Sequence, residues 1–156
     1  MDELRVKRAK EIIEDVIYIT LATVSKEGNP WNSPVYTAYD NEYNFYWISS
    51  PDSQHSKNIE FNHKVFAVIY SSNAKEGTGE GVYMQGKAEV MNDEDKITLA
   101  LKTFYARKNK ETKSAKDFIG VSPRSVYRFT PERVWVNDDI KINGHHVDTR
   151  NEVNLN

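Results

Sequence analysis

Apolar residues near the start of the chain fall at Val6, Ala9, Ile12, Ile13 and Val16, with Arg5, Lys7, Arg8, Lys10, Glu11 and Glu14 between them. This is the spacing of one helical stripe, and it predicts an amphipathic helix over about residues 3–16. The period then drops to two. Ile17, Ile19 and Leu21 alternate with Tyr18, Thr20 and Ala22, and Lys26-Glu27-Gly28-Asn29-Pro30 supplies a turn. Val35, Thr37 and Tyr39 resume the alternation, Asp40-Asn41-Glu42 turns the chain again, and Tyr43, Phe45 and Trp47 follow in an aromatic-rich strand. Two hairpins in succession argue for antiparallel β structure.

After Ser49-Ser50-Pro51-Asp52, the stretch from His55 to Asn62 reads as a short helix capped by Asp52 or Ser53. Val65 to Tyr70 is β-branched and aromatic again. Past Gly77-Thr78-Gly79-Glu80-Gly81, a long strand alternates Val82, Met84, Gly86, Ala88 and Val90 with Tyr83, Gln85, Lys87 and Glu89. Asn92, with Asp95 three residues on, resembles a cap for a second amphipathic helix carrying Ile97, Ala100, Leu101, Phe104 and Tyr105. A basic connection from Arg107 to Lys116 leads to strand character from Arg124 to Val136, where Thr130-Pro131 predicts a bulge or an edge. From about residue 138 the chain is polar and reads as a loose tail. Roughly six strands joined by short turns favour a compact antiparallel barrel, mainly β (α+β), over a doubly wound sheet.

The length, 156 residues, suits one domain spanning residues 1–156. A formal net charge of −2, with basic and acidic residues interspersed, argues against nucleic acid as a partner. The chain has no cysteine, which excludes disulfides, thiolate zinc sites and cysteine-held iron–sulfur clusters, so any redox chemistry needs a bound cofactor. No apolar run approaches the roughly 20 residues that span a bilayer, and the expectation is a cytoplasmic protein without a membrane partner.

The stretch from Ser49 to Asn58 carries the chemistry. A strand ends in hydroxyl residues and passes within a few positions into a short helix bearing His55, Ser56 and Lys57. A helix start offers unpaired N–H groups and a partial positive charge, serines add donors, and Lys57 supplies a full charge, which together suit a phosphate. The alternative is that Ser50 and Ser53 cap a helix while Lys57 faces water. Other motifs point to less. The glycines at 77, 79 and 81 lack the Lys and Ser/Thr that a nucleotide loop requires. His63 reads as a partner for the final carbonyls of the short helix. His145 and His146, adjacent on one strand, point to opposite faces, which argues against a shared metal. No Gly-x-Ser-x-Gly elbow is present.

From Ile17 to Trp135 the sequence resembles the pyridoxamine 5'-phosphate oxidase-like flavin-binding split barrels. The resemblance lies in Gly28-Asn29-Pro30 leading to Ser33-Pro34-Val35-Tyr36, then Phe45-Tyr46-Trp47-Ile48-Ser49, then Ser53-Gln54-His55-Ser56-Lys57-Asn58-Ile59 with Asn62, then Gly81 to Glu89, and Arg133-Val134-Trp135. It implies a six-stranded antiparallel Greek-key split β-barrel with flanking helices, binding flavin mononucleotide (FMN) at the interface of a homodimer. It further implies phosphate or ribityl contacts from Ser49, Ser53, His55, Ser56 and Lys57, ring contacts from Ser33, Pro34 and Val35, and contributions from Gln85 and Trp135, the last from the other chain. The activity it implies is an FMN-dependent oxidoreductase passing electrons between a nicotinamide or other small-molecule reductant and an acceptor. A flavin- or haem-binding module without catalysis and a deazaflavin-dependent reductase are the rival readings.

The sequence also departs from the vitamin-producing oxidases. Asn32 stands where they carry an arginine, Gln54-His55 where they carry a basic pair, and Asn137-Asp138-Asp139 where they carry an arginine-rich substrate segment. Acidic residues there would repel a phosphorylated vitamin, so efficient oxidation of pyridoxamine phosphate is not expected.

Overall fold

The computed structural model describes residues 2–156. Helix α1 (Asp2–Asp15) buries Ala9 and Ile13, with Val6, Ile12 and Val16 along the same stripe. Strands β1 (Tyr18–Val24) and β2 (Pro30–Tyr36) form the first hairpin, and β3 (Ala38–Tyr39) and β4 (Phe45–Ser49) the second. Helix α2 (Gln54–Phe61) follows, then β5 (Lys64–Tyr70), β6 (Gly81–Val90), helix α3 (Glu94–Arg107), β7 (Ser125–Ile142) and β8 (His145–Val153). All the pairings are antiparallel, in the order β2-β1-β5-β6-β7-β4-β3, with β8 on β7. The mainly β class with flanking helices is as expected, and the curled, unclosed sheet fits a split barrel, although it holds eight strands rather than six.

The two additional strands have separate causes. The alternation through Val35, Thr37 and Tyr39 is interrupted at Thr37, whose N–H turns to the Ile17 carbonyl, so a separate β3 begins after it. The tail past residue 138 is not loose. Asn143 and Gly144 both take positive φ, 51° and 81°, and fold the chain back as a hairpin that returns along β7 and buries Val153 and Leu155. A smaller shift concerns α3, where Asp93 rather than Asn92 is the cap and accepts from the Lys96 N–H at 2.9 Å.

Strand β7 serves two partners on one edge, β4 over Ser125–Phe129 and β8 over Val134–Ile142. Between them the expected bulge appears: Gln85 pairs with Arg133 and Gly86 with Pro131, leaving Glu132 as the extra residue. Gly86 is needed there, because a Cβ on it would lie 2.2 Å from the Thr130 carbonyl oxygen.

Two apolar clusters cover different faces of the sheet. Ile19, Leu21, Phe45, Trp47, Ile69, Met84 and Phe129 fill the main core, while Tyr46, Ile97, Leu101, Phe104 and Val126 pack between the opposite face of β4 and α3. Phe45, Tyr46 and Trp47 are therefore all buried in succession, the mark of a strand covered on both sides. By contrast, the outer face of β1, β5 and β6 leaves Tyr18, Val24, Phe66 and Tyr70 exposed. No helix among the described residues is long and apolar enough to cross a membrane.

Candidate functional site

The turn from β4 into α2 brings four of the expected residues together. His55 Nε2 lies 2.9 Å from Ser49 Oγ and 3.2 Å from Ser53 Oγ, and Ser53 Oγ lies 2.8 Å from Ser56 Oγ and 2.9 Å from the Ser50 carbonyl. Several acceptors thus compete for few hydroxyl protons, and a stronger acceptor could take them over. Ser53 occupies the N-cap position of α2, but its side chain caps no helix N–H, and Ser50 Oγ accepts instead from Asp52 N–H. The first-turn N–H groups are left without a side-chain acceptor, the condition in which a helix start attracts an anion. Lys57, on the same turn, is exposed and has no carboxylate partner within 4.0 Å among the described residues.

His55 is buried, and that burial holds its imidazole below the ordinary histidine range. It is therefore a neutral hydrogen-bonding hub at neutral pH. Beneath the cluster, Trp47 stacks on Tyr127 with centroids 5.3 Å apart, and burial raises the Tyr127 phenol above its ordinary pKa.

The remaining expected residues stand on other strands. Ser33 and Val35 share the inward side of β2 with Leu21 and Ile19, and Val35 is absorbed by the core, so its backbone is what remains for a ligand. Pro34 faces outward and exposed. Gln85 and Trp135 lie on the outer face, where Trp135 stacks on Phe66 at 6.3 Å and carries the Arg133 guanidinium over its ring at 4.7 Å. Along the sheet, Pro34 and Trp135 end one row that passes through Thr20, Val68 and Tyr83, so that three strands stand between theirs.

Several polar residues near the site were not among the expected site residues. Thr23, Trp31, Gln54 and Asn58 form a chain of hydrogen bonds between α2 and β2. Their partners are as much as 35 residues apart, beyond any local motif. His63 departs from expectation: its Nδ1 donates to the Ala88 carbonyl on β6 at 3.1 Å rather than to the end of α2. His146 pairs with Asp139 across the β7–β8 hairpin.

A family model described as pyridoxamine 5'-phosphate oxidase matches residues 6–138. Solved structures with the same fold include a protein provisionally assigned to 5-nitroimidazole antibiotic resistance from Bacteroides thetaiotaomicron VPI-5482, at 18% identity and TM-score 0.69, covering 83% of this chain and 81% of that one. A haem-binding protein from Mycobacterium smegmatis gives 22% identity and TM-score 0.67, covering 93% of this chain and 57% of that one. The haem storage protein from Vibrio cholerae gives 16% and 0.63, covering 83% and 92%. No curated protein matches the chain.

Proposed function

This chain belongs to the pyridoxamine 5'-phosphate oxidase family, and on that premise we propose that it binds FMN between the two subunits of a homodimer and works as an oxidoreductase. The observation that carries the reading is the hydroxyl cluster of Ser49, Ser53, His55 and Ser56 at an uncapped helix start, with the unpaired Lys57 beside it. These residues suit a phosphate dianion: hydroxyls and backbone N–H groups donate, and Lys57 supplies charge. Ser33, Pro34 and the Val35 backbone on the end strand β2 would flank the ring. Gln85 and Trp135 stand on β6 and β7, apart from β2 in the strand order, and their contribution would come from the partner subunit.

Bound FMN would supply the hydride- and electron-transfer chemistry, between a small-molecule reductant and an acceptor. The chain's own residues bind and orient it. Val35 anchors the ring strand in the core, and Trp47 with Tyr127 backs the phosphate cluster with a buried aromatic pair.

Two fold neighbours are described as binding or storing haem, which makes haem the second reading. The site favours flavin, because its hydroxyl cluster, helix start and Lys57 suit a phosphate dianion, a group that haem does not carry. The visible spectrum of the purified protein, followed by titration with FMN and with haem, tests the choice. Flavin absorption and tight FMN binding are expected, and haem binding without FMN binding overturns the reading.

A further inference from the structure

Asn58 is only 2% exposed, yet its amide is used at both ends: Gln54 Nε2 donates to Oδ1 at 2.8 Å, and Nδ2 donates to Thr23 Oγ1 at 2.9 Å. Thr23, 1% exposed, in turn donates to the Trp31 carbonyl at 3.4 Å. Trp31 then donates its indole N–H to Ser33 Oγ at 3.1 Å. A continuous polar line thus runs from the first turn of α2, through β1, to Ser33 on β2.

Such a line is costly to bury unless every partner is present, and apolar packing alone would hold α2 on the sheet. Packing does not set the position of this helix sharply, however. Ile59 is the one large apolar side chain that α2 buries, so little prevents the helix from sliding or rotating about it. The directional bonds of Asn58 remove that freedom.

We propose that Thr23 and Asn58 are positioning residues that fix the distance between the phosphate-gripping turn of α2 and the ring-flanking strand β2. This rests on the FMN reading given above. A phosphate site and a ring site joined by one covalent ligand reinforce each other only when their separation matches the ligand's span. The Trp31 indole completes the line by filling an acceptor position on Ser33, leaving the Ser33 proton to point to the ligand side.

The test compares FMN, riboflavin and inorganic phosphate as three separate ligands of the wild-type dimer and of Thr23→Val, with thermal unfolding recorded alongside. Thr23→Val keeps the shape of the side chain and removes its hydroxyl. The expected result is affinity for riboflavin and for phosphate alone within about twofold of wild type, with FMN weakened about tenfold or more, and Thr23→Ser restoring FMN binding. Gln54→Met loosens the Asn58 amide from the helix surface without touching the core, and it should give the same pattern at smaller size even if the valine variant folds poorly. Unchanged FMN binding in both variants, or equal losses for FMN and riboflavin, overturns the inference alone. Wild-type protein that binds no FMN overturns the flavin reading and this inference with it.

Discussion

His55 and Ser49 meet across the strand-to-helix turn, with Nε2 2.9 Å from the serine hydroxyl, although they stand six positions apart in the chain. Burial lowers the His55 pKa, so the empty folded protein resists a proton that the unfolded chain accepts. The group then contributes full stability above the ordinary histidine value of about 6.5, and that contribution is lost as the pH falls below it. Denaturant midpoints of the empty protein should therefore drop between pH 7 and pH 5.5, and His55→Gln should flatten this part of the profile.

An anion beside His55 reverses the preference, since a phosphate favours the protonated ring. FMN binding should therefore take up protons, and affinity should rise as the pH is lowered from 8 to 6.5, while the phosphate is still largely dianionic. Fluorescence titrations of FMN across that range measure the slope. His55→Gln should remove it, and a slope unchanged in that variant would place the phosphate elsewhere.

Lys57 supplies the full positive charge of the proposed grip, in a charge-assisted contact. Lys57→Ala should weaken FMN by about 2 kcal/mol and leave riboflavin, which lacks the phosphate, almost unaffected. Calorimetric titration with both ligands checks it. Equal losses for the two would mean that Lys57 acts on the ring or on the fold.

Most of the elements are legible in the sequence, but not all the surfaces they make. Strands with one buried face, such as β1 and β6, announce themselves by strict alternation. Tyr46 does not, because the periodicity of β4 does not reveal that α3 covers its other face. The β7–β8 hairpin was legible at Asn143-Gly144, the dipeptide that suits a two-residue turn, and it was masked by the charged residues that flank it. The cluster from Ser49 to Lys57 is contiguous in sequence and could be read there. The bond between Asn58 and Thr23 arises only when a helix and a strand far apart in the chain pack together.

Arg107, at the end of α3, lies 3.0, 2.7 and 3.2 Å from the carbonyls of Ile13, Glu14 and Val16 and 3.1 Å from that of Thr37. One guanidinium thus closes the end of α1 and fastens it to the start of the sheet, with its plane over Tyr39 at 5.3 Å. Arg107→Ala should cost about 2 kcal/mol in chemical denaturation, since several carbonyls, most of them part-buried, lose a charged donor together. Arg107→Lys should recover little of it, because a single ammonium cannot reproduce the planar fork.

The outer face of the sheet gives the prediction that bears most directly on assembly. Phe66 and Trp135 stack there in mutual contact, with Phe66 40% exposed and Tyr70 50% exposed close by on β5. A second copy of the chain would bury this row and at the same time bring its Gln85 and Trp135 toward the first copy's β2, joining groups that one chain places on separate strands of its sheet. Phe66→Asp inserts a charge into that contact without entering the core, so folding should survive while association does not. Light scattering should show wild-type dimer and mutant monomer at micromolar concentration, and the mutant should lose FMN along with its partner. A monomeric mutant that still binds FMN as tightly as wild type would show that the cofactor site is complete in one chain.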